Sequence, residues 1–112
     1  MAWWTKAAEQ ADPSAQLNLG MAYATGLGTA QDDAQAVRWW TAAAEQGMPA
    51  AQINVALAYA GGKGVTQDYV EARKWFAIAA ALSPPGQEQS YAATARDAVT
   101  TRLTAEQVAD SD

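Results

Sequence analysis

The chain has 112 residues, and it contains no cysteine and no histidine. Without cysteine it can form no disulfide and has no thiolate chemistry. Without either residue an ordinary zinc site is excluded, and no imidazole can act as a general base near neutral pH. We therefore expect no metal, no cofactor and no catalysis. An enzyme that relies on carboxylates alone is the remaining catalytic alternative.

Basic residues are also scarce, and long apolar runs are missing. Seven Lys and Arg stand against twelve Asp and Glu, which gives a formal net charge of -5. Nucleic acids and anionic membrane surfaces bind preferentially to clusters of basic residues, and the basic residues here are few and scattered, so we expect neither as a partner. No segment approaches the roughly 20 apolar residues that cross a bilayer, and Met1-Ala2 leads directly into Trp3 without a signal peptide. The sequence predicts a soluble domain and leaves its compartment open.

What the chain has in abundance is repetition and alanine. Aromatic pairs recur every 36 residues, at Trp3-Trp4, Trp39-Trp40 and Trp75-Phe76. Residues 3–36 are identical to residues 39–72 at 19 of 34 positions. Alanine, the best helix former, occurs 29 times. A period of this length in an alanine-rich chain predicts an all-α repeat protein.

One helix of each period carries the aromatic pair. Apolar residues at i, i+3, i+4, i+7 and i+8 form its stripe, namely Ala36, Trp39, Trp40, Ala43 and Ala44, and then Ala72, Trp75, Phe76, Ala79 and Ala80. Asp32 before Gln35, and Asp68 before Glu71, have the spacing of capping boxes at the helix starts. The first of these helices is predicted over about residues 33–46.

A second helix precedes each aromatic helix. Its apolar stripe is Ala15, Leu19, Ala22 and Tyr23 in one period, and Ala51, Val55, Ala58 and Tyr59 in the next. Gly47 is placed to end a helix in the left-handed conformation, and Pro49 to open the next one. Glycine connectors at Gly26-Leu27-Gly28 and Gly62-Lys63-Gly64 favour short hairpins. We predict an α/α superhelical solenoid of antiparallel helix hairpins.

The period fades after Pro84-Pro85-Gly86. We predict a C-terminal capping helix over about residues 88–103 that lays one stripe over the last hairpin, consisting of Tyr91, Ala95, Ala98, Val99 and Leu103. Thr104 and Gln107 are spaced to cap one more turn that carries Val108. The single domain then divides into a partial repeat at 3–11, repeat 1 at 12–47, repeat 2 at 48–83 and the cap at 84–112.

This period resembles a Sel1-like repeat, a tetratricopeptide-like unit, at the following residues: Ala15-Gln16-Leu17-Asn18-Leu19-Gly20, Tyr23, Gly26-Leu27-Gly28, Gln31-Asp32, Ala36, Trp39-Trp40 and Ala43-Ala44-Glu45-Gln46-Gly47. Ala56 in place of Gly20 and Phe76 in place of Trp40 are small departures, and Ala56 is expected to widen a tight helix crossing. The resemblance implies an adaptor without catalysis of its own, which binds a protein or peptide. Such adaptors act in bacterial or eukaryotic complexes; we expect a bacterial protein, and the lack of cysteine is compatible with the cytoplasm and with the periplasm.

The candidate binding site follows from this resemblance, because tetratricopeptide-like solenoids build their concave wall from the first helix of each hairpin. Aliphatic side chains there would hold a partner's side chains, and amides would hold its backbone. The candidate protein-binding residues are Gln16, Leu17, Asn18, Met21, Gln52, Ile53, Asn54 and Leu57, with Ala24 and Ala60 at the next helical positions. The alternative is that the aliphatics pack against the next repeat, while Asn18 and Asn54 tie neighbouring backbones together.

Two other features have a structural and a functional interpretation. The later aromatic pairs recur at one helical phase, which favours core packing. Trp3 and Trp4 lack the helix that should cover them, so our second hypothesis is a structural or regulatory fragment that forms a homodimer through this N-terminal face.

Gly61-Gly62-Lys63-Gly64 resembles part of a phosphate loop, but Gly64 stands where a Ser or Thr is needed, which favours a turn.

Overall fold

The chain folds into a row of antiparallel helices. The computed structural model describes residue 10 and residues 12–102. The helices are α1 (Pro13–Thr25), α2 (Asp33–Glu45), α3 (Pro49–Gly61), α4 (Tyr69–Leu82) and α5 (Gln87–Arg102), and the described part of the chain contains no strand. Each helix packs mainly against its neighbours in sequence. The predicted all-α solenoid with a capping helix is confirmed.

Several predictions concern residues that the structure does not describe. These residues are Trp3, Trp4, Leu103, Thr104, Gln107 and Val108. Self-association through Trp3 and Trp4, and an additional turn that carries Val108, therefore stay predictions.

The starts of α2 and α4 show half of the predicted capping box. Asp32 Oδ1 accepts a hydrogen bond from the Gln35 amide at 3.2 Å, as expected for an N-cap. The backbone amide of Asp32, however, donates to the Tyr23 carbonyl at 2.9 Å and not to the side chain of Gln35. Asp68 repeats this contact with the Tyr59 carbonyl at 2.9 Å. The second half of the box is missing because this amide closes the hairpin.

Both hairpin loops are held by a glutamine. Gln31 Nε2 donates to the Ala24 carbonyl at 3.0 Å, and Gln67 Nε2 donates to the Ala60 carbonyl at 2.9 Å. A helix leaves its last carbonyls without partners inside the helix, and each glutamine satisfies one of them. The same side chain therefore fixes the turn in both periods.

The junction between the hairpins follows the predicted signals. Helix α2 ends at Glu45, Gly47 has a φ of +88° and Pro49 is the first residue of α3. The Gly47 amide donates to the Ala44 carbonyl at 3.0 Å, so the turn satisfies one of the free carbonyls at the end of α2.

The core lies along the predicted stripes. Alanines allow the helices to approach closely, and the largest fully buried side chains are Phe76, Leu19, Gln52 and Val55. Tyr59 and Trp75 each pack against two buried clusters, one that contains Phe76 and one that contains Val55. These two half-buried aromatic residues therefore join the second hairpin to the first.

The crossing of the two helices within a hairpin is built differently in the two repeats. A Cβ atom on Gly20 would lie 2.5 Å from Cδ1 and Nε1 of Trp40, so only glycine fits opposite this indole. The second hairpin has Ala56 and Phe76 at the equivalent positions, both buried in one cluster. A larger residue on one helix is thus matched by a smaller ring on the other. The two departures from the repeat compensate each other in volume.

The capping helix turns a different face inward from the one predicted. Ala92 and Val99 are buried, whereas Tyr91 is 49% exposed and Ala98 is also exposed. The prediction for Tyr91 and Ala98 was wrong, because the small Ala92 lets α5 lie close to α4 and this contact decides the rotation of the helix. Ala95 is half-buried at the edge of the contact.

Candidate protein-binding groove

A stripe of exposed side chains runs along α1 and α3. Met21 and Leu57, which stand 36 residues apart, are each 45% exposed. Asn54 Nδ2 lies 3.9 Å from Met21 Sδ, so the stripe is continuous from one hairpin to the next. Asn18 is exposed on the same stripe, and Leu17 is half-buried against the core. The structure brings Asn18, Met21, Asn54 and Leu57 to one surface, whereas Leu17 packs against the core between the hairpins.

The other three candidate residues lie in the interior. Gln16, Gln52 and Ile53 are 5%, 1% and 9% exposed. Gln52 Nε2 donates to the Ala44 carbonyl at 3.1 Å, and Gln16 Oε1 accepts from Gln46 Nε2 at 2.8 Å. These glutamines connect neighbouring helices, the role that the alternative interpretation gave to the asparagines. Their side chains have almost no surface to offer a partner, and we remove all three from the candidate site.

A pocket of about 160 Å³ opens between the two hairpins beside this stripe. Leu57 and Trp40 provide its larger apolar walls. The glycine loop before α4 packs against the start of α2, since a Cβ on Gly64 would meet the Asp33 carbonyl. This contact places Lys63 and Asp33 at the same pocket. The full lining is Ala24, Asp33, Trp40, Asn54, Leu57, Ala58 and Lys63.

Two shallower depressions continue the pocket in both directions. The first lies along α1 and is lined by Asn18, Met21, Ala22, Thr25 and Leu27. The second lies between α3 and α5 and is lined by Leu57, Ala60, Gly61, Tyr69, Ala98 and Val99. Met21 and Leu57 hold equivalent positions in the two repeats. The three depressions therefore form a row that follows the repeat, and we call this row the concave groove.

The comparison with protein families agrees with this architecture. The Sel1 repeat family model matches residues 1–12, 13–48 and 49–84. The chain belongs to the Sel1-repeat family. Sel1-repeat proteins generally mediate protein–protein interactions and act as non-catalytic scaffolds. A comparison with curated proteins gives no match.

Two solved structures show how closely the Sel1 fold is reproduced. A protective antigen present in uropathogenic Escherichia coli strains, which displays an SLR fold, is 36% identical with a TM-score of 0.87. That match covers 98% of this chain and 23% of the antigen chain. A Sel1 repeat protein from Oxalobacter formigenes is 34% identical with a TM-score of 0.73, over 83% of this chain and 36% of the other. The chain thus spans well under half the length of either structure.

Four residues of the pocket were missed by the sequence interpretation of this Sel1 repeat. They are Asp33, Trp40, Ala58 and Lys63. Lys63 stands where the first period has Leu27, and Asp33 stands where the second has Tyr69. Where a loop or helix-start position carries different residues in two otherwise similar repeats, the scaffold does not require a particular residue there. That difference is the signal which could have identified Lys63 and Asp33.

The groove is lined by both apolar and polar side chains. Within the described residues, no group of three or more His, Cys, Asp or Glu side chains is arranged to hold a metal ion. No helix in the described part of this Sel1-repeat chain has the length and apolar character needed to cross a membrane. The groove presents aliphatic surface, the rings of Trp40 and Tyr69, the Thr25 hydroxyl, two asparagine amides and one charge of each sign.

Proposed function

We propose that this Sel1-repeat chain is a non-catalytic adaptor that binds a segment of a partner protein in the concave groove. The observation that carries the proposal is the exposure of Met21 and Leu57 at equivalent positions of two repeats. The fold buries Ala15, Leu19 and Ala22 of the first stripe and Ala51, Val55 and Ala58 of the second, whereas this pair lies outside both stripes and is uncovered. Large aliphatic residues in a row of depressions are typical of a surface that is covered by a partner.

The dimensions and polarity of the central pocket fit a peptide. Its volume of about 160 Å³ is close to the cavity of about 150 Å³ that holds a benzene ring, so one apolar side chain of a partner can enter. Asn18 and Asn54 have amide groups that can both donate to and accept from a peptide backbone. An extended peptide or an amphipathic helix would place successive apolar side chains in successive depressions.

The test compares two substitutions that each place a charge on an exposed leucine. Leu57→Glu changes the wall shared by two depressions, while Leu82→Glu changes a side chain that is 54% exposed and lines no part of the groove. Both variants should keep the helicity and melting temperature of the wild type, because neither leucine is core. Immobilised wild type and Leu82→Glu should capture the same protein from a lysate of the source organism, and Leu57→Glu should lose it.

Mass spectrometry of the captured proteins decides the outcome. A protein held equally by all three forms would place binding outside the concave groove and overturn the proposal. Unfolding of Leu57→Glu alone would show that Leu57 supports the fold, and Met21→Glu would then take its place as the second variant in the groove.

A further inference from the structure

A second groove lies between α4 and α5 and shares no lining residue with the concave groove. One end is lined by Val70, Arg73, Lys74, Ala77 and Arg96. The other end is lined by Ala77, Ala80, Ala81, Gln89, Ser90, Ala93 and Arg96. Ala77 and Arg96 belong to both ends, so the groove is continuous. We call it the α4–α5 groove.

The charge of this groove is opposite to that of the whole chain. The chain has a net charge of -5, but Arg73, Lys74 and Arg96 line the groove and no acidic residue does. Six Lys and Arg fall in the described residues, so half of them meet here. Beyond this basic end the floor is mostly alanine. The groove therefore combines a positive end with a small apolar floor.

The basic side chains are held in place by their neighbours. Arg73 Nε donates to Thr100 Oγ1 across the two helices at 3.1 Å. The Lys74 ammonium lies 5.4 Å from the centre of the Trp75 ring, within the range of a cation–π interaction. Side chains that are ordered before binding lose less conformational entropy when a ligand arrives.

Lys74 and Arg96 have acidic neighbours, and these two ion pairs are exchangeable. Lys74 Nζ lies 3.5 Å from Glu71 Oε2, and Arg96 Nε lies 3.1 Å from Asp97 Oδ1. All four side chains are at least one third exposed to solvent. Solvent-exposed ion pairs contribute little to stability, so a carboxylate of an incoming ligand can compete for these cations.

From this arrangement we propose that the α4–α5 groove is a second interaction site, which binds an acidic peptide segment of a partner protein. Carboxylates of the segment contact Arg73, Lys74 and Arg96, and its apolar side chains lie on the alanine floor. The concave groove has a different lining, with one charge of each sign. The two sites therefore select segments of different composition, and one chain can hold two partners.

The experiment measures fluorescence anisotropy of a labelled peptide that alternates Glu and Leu. The Lys74→Gln/Arg96→Gln variant should bind it about tenfold more weakly than the wild type, since two charge contacts are lost. Lys74→Gln alone should also weaken binding, and Arg38→Gln is its matched control, because it removes the same charge and Arg38 lies 5.5 Å from the centre of the Trp39 ring, much as Lys74 lies 5.4 Å from the Trp75 ring. This control should bind as the wild type does, and circular dichroism should show equal helicity in all of these proteins.

Four results would overturn the proposal. Wild type that does not bind the Glu/Leu peptide, or that binds a Lys/Leu peptide equally well, has no site that selects acidic segments. An equal loss in Lys74→Gln and in Arg38→Gln shows an effect of net charge alone. Binding that appears only after Glu106, Asp110 and Asp112 are changed to their amides assigns the groove to residues 103–112 of the same chain. None of these results bears on the Leu57→Glu test, so the two proposals can fail separately.

Discussion

At the scale of single residues, the hairpins depend on pairs of side chains whose sizes are matched. Gly20 packs against the edge of Trp40 that carries Nε1, and this nitrogen is buried without a hydrogen-bond partner in the described part of the chain. Ala56 and Phe76 form the equivalent crossing without an indole nitrogen. In each crossing, therefore, the size of the residue on one helix limits the size of the residue that fits opposite it on the other helix.

We expect the effect of Gly20→Ala to change sign with the residue at position 40. Beside Trp40 the new Cβ overpacks the crossing, at a cost of about 1–3 kcal/mol that exceeds the helix-propensity gain of about 1 kcal/mol. In a Trp40→Phe background the pair becomes the one found in the second hairpin, so Gly20→Ala should be neutral or stabilising. Urea unfolding of the four proteins in this double-mutant cycle measures the coupling. The same cost in both backgrounds would show that Trp40 does not set it.

The sequence predicted the buried apolar stripes of the two hairpins but not the positions of the amides. The 36-residue period fixes which alanines and aromatics face the core, because the helical phase repeats. Gln16 and Asn18 are both polar and both repeat, so nothing in the pattern separates them. Gln52 can be buried because its side chain reaches the Ala44 carbonyl of the preceding hairpin, a contact that exists only after the hairpins stack. The division between core and groove depends on this tertiary contact.

At the scale of helices and loops, the loop before α4 packs against the start of α2. Gly64 has a φ of +82°, and a Cβ there would meet the backbone of Asp33 and Ala34. Gly47 has a similar φ of +88°, but nothing lies within 4 Å of its Cβ position. The two glycines thus share a backbone conformation and differ in their surroundings.

We expect Gly64→Ala to destabilise the protein by more than about 2 kcal/mol and Gly47→Ala by about 1–2 kcal/mol. The left-handed conformation accounts for the cost that both share. The excess at Gly64 comes from pushing the loop away from α2, which should also deform the pocket beside Lys63. Chemical denaturation of both variants checks the order. Equal costs would mean that the contact between this loop and α2 contributes nothing.

Helix positions were easier to predict than helix rotation. Helix α2 begins at Asp33 as predicted and ends one residue early, and α5 begins one residue before its predicted start. Caps, glycines and prolines mark such ends locally. The inward face of α5 is set by how closely Ala92 lets it approach α4, and a stripe read from hydrophobicity alone favoured the larger Tyr91.

At the scale of the whole molecule, each helix is stabilised mainly by contacts with the helices adjacent to it in sequence. The principal-axis extents are 46 × 30 × 20 Å, and α1 and α2 make no extensive contact with α5. Solenoids of this kind have approximately additive repeat and interface energies, so damage at one end is transmitted weakly to the other.

Ala92→Asp should therefore destabilise the C-terminal end of the molecule, at α4 and α5, without unfolding the rest. Ala92 is fully buried in the cluster that joins α5 to the second hairpin, and a carboxylate there would lose its hydration without gaining a partner. Hydrogen–deuterium exchange should show lost protection in α4 and α5, with α1 and α2 still protected. Ala98→Asp adds the same charge at an exposed position of α5 and should leave the exchange unchanged. Uniform loss of protection in Ala92→Asp would show that the array unfolds as one unit.

The matched crossings also determine which segments of the gene can be exchanged between repeats. A recombination that joined α1 to α4 would place Gly20 opposite Phe76 and leave a cavity. The reverse junction, α3 followed by α2, would press Ala56 into Trp40. Exchange of a complete hairpin keeps both pairs intact. Selection after duplication would then favour breakpoints between hairpins, near Gly47, over breakpoints in the loops inside them.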